Sequence, residues 1–227
     1  GPVSEEGELV RGNIHVYSRL ADNLRPIAAR NKAISLELIH PERPDGTPAT
    51  CDALIDAGRF GGSLAAFNVI GFASLSIQEP GDTIPAPAYN MPVSDERGWL
   101  VLVRLWGARD RTGQPTGEVV ALGCRDGVQM PEGPYDPEDP VRNVTVDVQA
   151  VCTRDEHCPE PLTCLAGALL CRDARCGNCG HAGVCREVNG EPICLKTCDP
   201  EGETQTCPSN HRCDTTPGLT PACVPLD

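Results

Sequence analysis

Aromatic residues run out early in this sequence. Tyr17, Phe60, Phe67, Phe72, Tyr89, Trp99, Trp106 and Tyr135 are all it has, and none follows Tyr135. A segment without Phe, Tyr or Trp gathers little apolar core, so cross-links or metal must hold whatever follows. Cations are also scarce: 19 Lys and Arg stand against 32 Asp and Glu, a net charge of −13. That balance argues against nucleic acid and anionic membrane surfaces as partners. No apolar run reaches the length of a membrane-spanning helix, so no transmembrane segment is expected. There is no G-x-S-x-G motif and no H-x-x-x-H pair among His15, His40, His157, His181 and His211. Nothing therefore points to hydrolase or zinc-protease chemistry.

What the chain has in excess is cysteine, unevenly placed. Of 14, only Cys51 and Cys124 precede residue 150, and the rest run from Cys152 to Cys223. The even count and high density point to an oxidising compartment. Together with the aromatic cut-off they divide the chain near Ala150, giving residues 1–150 and 151–227. The opening GPVSEEGE reads as a trimmed terminus, Gly1-Pro2 resembling a protease scar. The expectation is an exported protein whose targeting segment, with or without a lipid anchor, has been removed.

The first part alternates as half-buried strands do. In AISLELI, Ile34, Leu36 and Leu38 share one face, and Ser35 and Glu37 share the other. In VTVDV, Val144, Val146 and Val148 oppose Thr145 and Asp147. GWLVLVRLW is apolar on both faces and reads as a central strand, with Arg104 at its exit. ELVRGNIHVY, GFASLSIQ and GEVVALGC add three more. The linkers PERPDGTP, EPGDTIPAP, RDRTGQPTG and PEGPYDPEDP carry turn residues, and LADNLRPIAARN has room for a short helix. The expected class is all-β: a β-sandwich followed by a small disulfide-rich, loop-dominated domain. Cys51 and Cys124 pair unless one reaches the later cysteines. Their bridge would contribute roughly 4 kcal/mol in the chain-entropy model.

The twelve later cysteines fall into three groups of four. Cys152, Cys158, Cys164 and Cys171 have gaps of five, five and six; Cys176, Cys179, Cys185 and Cys194 have two, five and eight; Cys198, Cys207, Cys213 and Cys223 have eight, five and nine. The constant central gap marks a copied module and explains why HCPEPLTC is echoed by TCPSNHRC. Joining first to third and second to fourth is the compact solution. It gives Cys152–Cys164, Cys158–Cys171, Cys176–Cys185, Cys179–Cys194, Cys198–Cys213 and Cys207–Cys223. Spacing does not decide among the connectivities open to four cysteines. Each interlaced loop would be worth about 3 kcal/mol, which stands in for the missing core.

Rival readings rest on the same residues. Cys176, Cys179, Cys194 and Cys198 with His181 have ribbon-like zinc spacing, but the cysteines around them also need partners. A redox role for Cys176-x-x-Cys179 lacks a thioredoxin-like βαβ pattern. YDPEDP (Asp136, Glu138, Asp139) and CDPEGE (Asp199, Glu201, Glu203) offer carboxylates to calcium without an EF-hand pattern. The NVT sequon at Asn143 lies within a strand. LAGALLC is the tail's most apolar stretch; Leu165, Leu169 and Leu170 either pack on the β-part or meet a partner. No cofactor and no catalytic residue are expected.

VLVRLWGARDRTGQPTGEVVALGCRDGVQM with VRNVTVDV resembles the end of an Ig-like or transthyretin-like β-sandwich domain of surface lipoproteins from social and predatory Gram-negative bacteria. A long strand, a turn, a "GC" strand and a final Val/Thr strand carry the resemblance, over about 50 residues. It implies an Ig-like sandwich that binds or scaffolds. The tail is similar to short Cys-rich repeats of secreted bacterial proteins and, in CGHAGVC, to EGF-like knots, without the full spacing that a calcium site requires. The expected role is a non-enzymatic extracellular or outer-surface binding, adhesion or assembly module with a protein or cell-surface partner. The alternatives are a secreted Cys-rich inhibitor or protein ligand, or an accessory domain of a secreted hydrolase. Thiol titration of denatured, unreduced protein is expected to find almost no free thiol, and metal analysis less than one zinc per chain. Stoichiometric zinc would show that cysteines ligate metal instead.

Overall fold

The computed structural model describes residues 11–19, 33–76, 83–85, 89–92, 98–129, 133–158, 160–165, 169–177, 179, 183–200, 207–217 and 219–226. The short helix for which LADNLRPIAARN has room lies outside them. Fifteen strands and one α-helix are described, and the protein is β-rich. In chain order they are β1 (Arg11–Arg19), β2 (Ala33–Ile39), α1 (Cys51–Gly58), β3 (Val69–Ser76), β4 (Thr83–Pro85) and β5 (Tyr89–Pro92). Then come β6 (Trp99–Arg109), β7 (Pro115–Val128), β8 (Asn143–Asp147) and β9 (Gln149–Ala150). The cysteine-rich part adds β10 (Thr163–Leu165), β11 (Leu170–Arg172), β12 (Gly183–Val188), β13 (Glu191–Lys196), β14 (His211–Asp214) and β15 (Ala222–Pro225).

A five-stranded antiparallel sheet has the order β3-β2-β6-β7-β9. A second sheet centres on β1, which pairs antiparallel with β4 and β5 and parallel with β8. Alternation places Ile14 and Val16 of β1, Leu36 and Leu38 of β2, Val101 and Val103 of β6, and Val144 and Val146 of β8 in one buried cluster. β7 and β8 approach closely at Gly123, where a Cβ would strike the Asp147 carbonyl. That requirement accounts for the glycine in the "GC" strand.

The opposite face of the five-stranded sheet is covered as well. α1 starts at Thr50, whose hydroxyl accepts the Ala53 N–H at 3.3 Å. It buries Leu54 and Ile55 against Leu100, Leu102 and Leu122. The Cys51–Cys124 bridge, Cα–Cα 5.5 Å, fastens the start of the helix to β7. Every residue of β2 is therefore buried, including the polar pair that alternation assigns to an outer face. Arg104 is likewise inside, 8% exposed, and β6 continues past it to Arg109, so it marks no strand exit. β4 falls within a segment read as linker.

Burying these polar groups calls for a network. Arg104 Nη2 donates to Glu37 Oε1 at 2.6 Å, and Ser35 Oγ donates to the same oxygen at 3.0 Å. Trp106 Nε1 donates to Ser35 Oγ at 2.9 Å, and Arg104 Nη1 to the Gly62 carbonyl at 3.1 Å. Burial pushes the Glu37 carboxyl above its usual range; the charge of Arg104 and the hydrogen bonds from Arg104 and Ser35 offset part of this. A raised native pKa means that Glu37 favours the fold at acid pH and that this contribution is lost as pH climbs through the raised value.

Replacing Arg104 with Met strands a buried carboxylate and is expected to cost about 3–5 kcal/mol in urea unfolding. Adding Glu37→Gln is expected to recover part of that loss and to flatten stability against pH above the ordinary carboxylate range. If the double variant is as unstable as Arg104→Met alone, the cost lies in packing and not in the stranded charge.

Candidate functional site

The cysteine-rich part begins as an extension of the five-stranded sheet. β9 pairs with β7 through Ala150 and Gln149, and the next residue, Val151, forms a bridge with Leu170 of β11. Alternation carries through the junction. Val151 and Leu170 enter the cluster beneath α1, while Ala150, Cys152 and Cys171 enter the cluster shared by the two sheets. The first module thus covers the β9 edge, which would otherwise present unpaired backbone groups. Of the three leucines expected to pack or to meet a partner, Leu170 is 3% exposed and joins the two parts, whereas Leu165 and Leu169 are half-buried.

Each module is built on a two-stranded hairpin instead of open loop: β10–β11, β12–β13 and β14–β15. In all three the third and fourth cysteines sit opposite each other: Cys164 and Cys171, Cys185 and Cys194, Cys213 and Cys223. Their disulfides nevertheless run elsewhere. Cys152–Cys164, Cys176–Cys185 and Cys198–Cys213 have Cα separations of 5.7, 5.7 and 5.9 Å. Cys158–Cys171, Cys179–Cys194 and Cys207–Cys223 are each 5.4 Å apart. The two bridges of a module lie side by side. In each, the first, second and fourth sulfurs fall within 4.8 Å of one another. All fourteen cysteines are in disulfides, so the ribbon-spaced set Cys176, Cys179, Cys194 and Cys198 presents no free thiolate to a metal.

Charge fastens the third module to the β-part. Arg125 of β7, 6% exposed, donates from Nη1 to Asp199 Oδ2 at 3.1 Å and to the Thr145 carbonyl at 2.8 Å. Asp147, at the end of β8, is held by Arg19 Nε at 2.7 Å. Burial pushes the Asp147 carboxyl up. Arg19 and Arg125 pull it down, and the Asp199 charge adds to the rise.

Between these anchors lies a cavity of about 440 Å³. Asp147, Val148 and Gln149 form its β-side; Leu162 and Cys171 of the first module, Cys179, Val184 and Arg186 of the second, and Leu219 and Thr220 of the third complete it. Gly183 also lines it, and a Cβ there would strike the Cys179 carbonyl. Burial lowers the Arg172 guanidinium in this wall to about 10, the Asp52 charge opposing the shift, so it stays a cation at neutral pH. Arg125, Gln149, Arg186 and Asp199 carry no local motif, and they meet only through long-range folding.

Other candidates serve local structure. Asp139 accepts the Val141 N–H at 3.1 Å and pairs with Arg142 at 3.1 Å. Asn143 accepts the Tyr135 hydroxyl at 2.7 Å and donates to the carbonyls of Pro137 and Asp139. His157 Nδ1 accepts the Thr153 N–H at 3.2 Å. His181, Glu201 and Glu203 lie outside the described residues. Comparisons with protein-family models, curated proteins and solved structures find no match.

The junction electrostatics give a titration test. Asp199→Asn removes a negative neighbour and is expected to lower the Asp147 pKa; Arg125→Met removes a positive one and is expected to raise it. Carboxyl-carbon NMR titration reads both. An unmoved Asp147 in both variants would show that the third module does not dock beside β8.

Proposed function

We propose that the chain is a non-enzymatic binding or assembly module of the cell exterior, secreted or lipid-anchored at an outer surface. In this reading an Ig-like β-sandwich carries a braced cysteine-rich arm to a protein or cell-surface partner. The two sheets sharing one cluster, with β1 parallel to β8, support the sandwich. Seven disulfides support an oxidising location, and no described helix is long and apolar enough to cross a membrane.

The observation that carries the proposal is the threefold repetition of a doubly bridged hairpin anchored to a sheet edge. Repetition with fixed spacing presents several similar surfaces at set distances, which suits contact with a macromolecule. At the tip of β12–β13, Asn189 (φ 53°) and Gly190 (φ 83°) form a two-residue turn, and both are exposed. A tip held on a disulfide-braced hairpin also favours a second reading, a secreted inhibitor or protein ligand, because a preorganised loop loses little entropy on binding.

Photo-crosslinkers placed at Glu191, in the second module, and at Thr112, in the exposed β6–β7 turn, separate the possibilities on intact cells. Amine coupling is less useful, since Lys32 and Lys196 are the only lysines. Specific adducts from Glu191 that vanish after mild reduction are expected. Adducts only from Thr112 would move the contact to the β-part, and none from either position would remove the surface-partner reading. A protease-inhibition screen tests the second reading.

A further inference from the structure

We propose that the outer edge of β3 is a dimerisation site, where two copies of the chain join β3 to β3 antiparallel about a two-fold axis and run their five-stranded sheets into one. The inference goes beyond the surface-partner reading and stands whether or not the cysteine-rich arm has a partner.

A strand at the end of a sheet has a row of backbone N–H and C=O groups with no strand to pair with, and folded proteins blunt such edges with charge, proline or a cover. The five-stranded sheet ends in β9 on one side and β3 on the other. The first module covers β9 through the bridge between Val151 and Leu170. In the second sheet, the strands flanking β1 carry Pro85 in β4, Pro92 in β5 and Asp147 in β8. β3, VIGFASLS, has neither charge nor proline. Among the described residues it pairs only with β2. One register shift falls beside Ile70, and over residues 71–76 the ladder to β2 is unbroken, so most of the edge is regular.

The side chains along this edge are open as well. Val69, Ile70 and Phe72 are 42%, 42% and 55% exposed, half of the large apolar side chains that stand exposed among the described residues. Phe72 lies opposite Glu37 and Val69 opposite Ile39, which places both on the face that α1 covers, at the margin the helix leaves open.

A second copy suits this edge by charge and by symmetry. Residues 60–78 include no Asp, Glu, Lys, Arg or His, the longest such run in the sequence. Two copies of a chain of net charge −13 repel, and the repulsion is least along this run. The copy also brings the same three apolar side chains, so each covers the other. Antiparallel pairing centred on Phe72 sets the two rings opposite each other on one face, a favourable cross-strand pair. Such a contact is isologous and closes on itself. With both β9 edges covered, the joined sheet has no open end, and growth stops at two copies. The cysteine-rich arms, which start from β9, then stand at the far ends of the joined sheet. An eight-residue strand is about 27 Å long, an interface at the small end of specific contacts, so a micromolar dissociation constant is expected.

The test is a dilution series of the full, oxidised protein in sedimentation velocity, from submicromolar to millimolar, with amide hydrogen exchange at both ends. A monomer–dimer equilibrium is expected, with the amides of residues 71–76 better protected in the dimer. Phe72→Lys and Phe72→Glu each set like charges across the two-fold and are expected to weaken dimerisation about tenfold or more. An equimolar mixture of the two variants is expected to dimerise again, since unlike charges then face each other. Phe72 is more than half exposed, so both variants keep the fold, and their urea midpoints check it. A protein that stays monomeric throughout would overturn the proposal without reliance on any variant. So would a dimer whose affinity neither substitution alters, or association that continues past two copies. A monomer in which a synthetic peptide of the β3 sequence protects residues 71–76 would also overturn it, because the edge would then receive a foreign strand and not a second copy.

Discussion

Residues 149–152 and 169–172 run beside one another at the edge of the five-stranded sheet, and the arrangement of the cysteine-rich part follows from that contact. A segment without aromatics has little apolar area to offset the entropy of ordering its backbone. It answers in two ways. Leu170, Cys152 and Cys171 borrow the interior of the β-part, reaching opposite faces of the sheet through strand alternation. Beyond the first module borrowing is no longer open to it, and paired disulfides take over. The edge gains cover and the tail gains a foundation by the same few residues.

Charge is handled in a parallel manner. Arg104, Arg125, Arg142 and Arg172 are buried, and each planar guanidinium is directed at a carboxylate or at carbonyls. Arginine remains cationic and forms several fixed hydrogen bonds at once, which suits such positions better than lysine. Arg125 and Asp199 pin the third module, the one farthest along the chain from the β9 edge. Backbone extension at one end of the tail and an ion pair toward the other together surround the cavity.

The strands β1, β2, β3, β6, β7 and β8 were legible because a period of two in apolar residues is the mark of a pleated strand with one face buried. The cover over Ser35 and Glu37 was not. It comes from α1 and the turn after it, an eight-residue helix too short to show a clear apolar stripe, although Thr50 and Asp52 are ordinary N-terminal signals. Arg104 looked like an exit for the same reason, since its partner is 67 residues away. The grouping of cysteines in fours could be read from their constant central gap, but their hairpins could not, because Cys residues mask the alternation of short strands. Asn189-Gly190 is a hairpin signal that the cysteine spacing overshadowed. The cavity was beyond any local reading, since its wall is gathered from residues between Asp147 and Thr220.

The placement of the third and fourth cysteines opposite one another bears on how the chain matures. Cys164 faces Cys171 across β10–β11 yet bonds to Cys152, and the same holds in the other two modules. Loop closure favours near neighbours, so first collisions join cysteines next to each other in the chain, such as Cys158 with Cys164 or Cys207 with Cys213, before they join native partners. Each module must then exchange its early bridges, a thiolate attacking a formed disulfide until the interlaced order is reached. An oxidant alone traps the scrambled forms. Six such bridges in succession tie the yield of this protein to a thiol–disulfide isomerase in its compartment, and make the choice of expression host a matter of shuffling capacity.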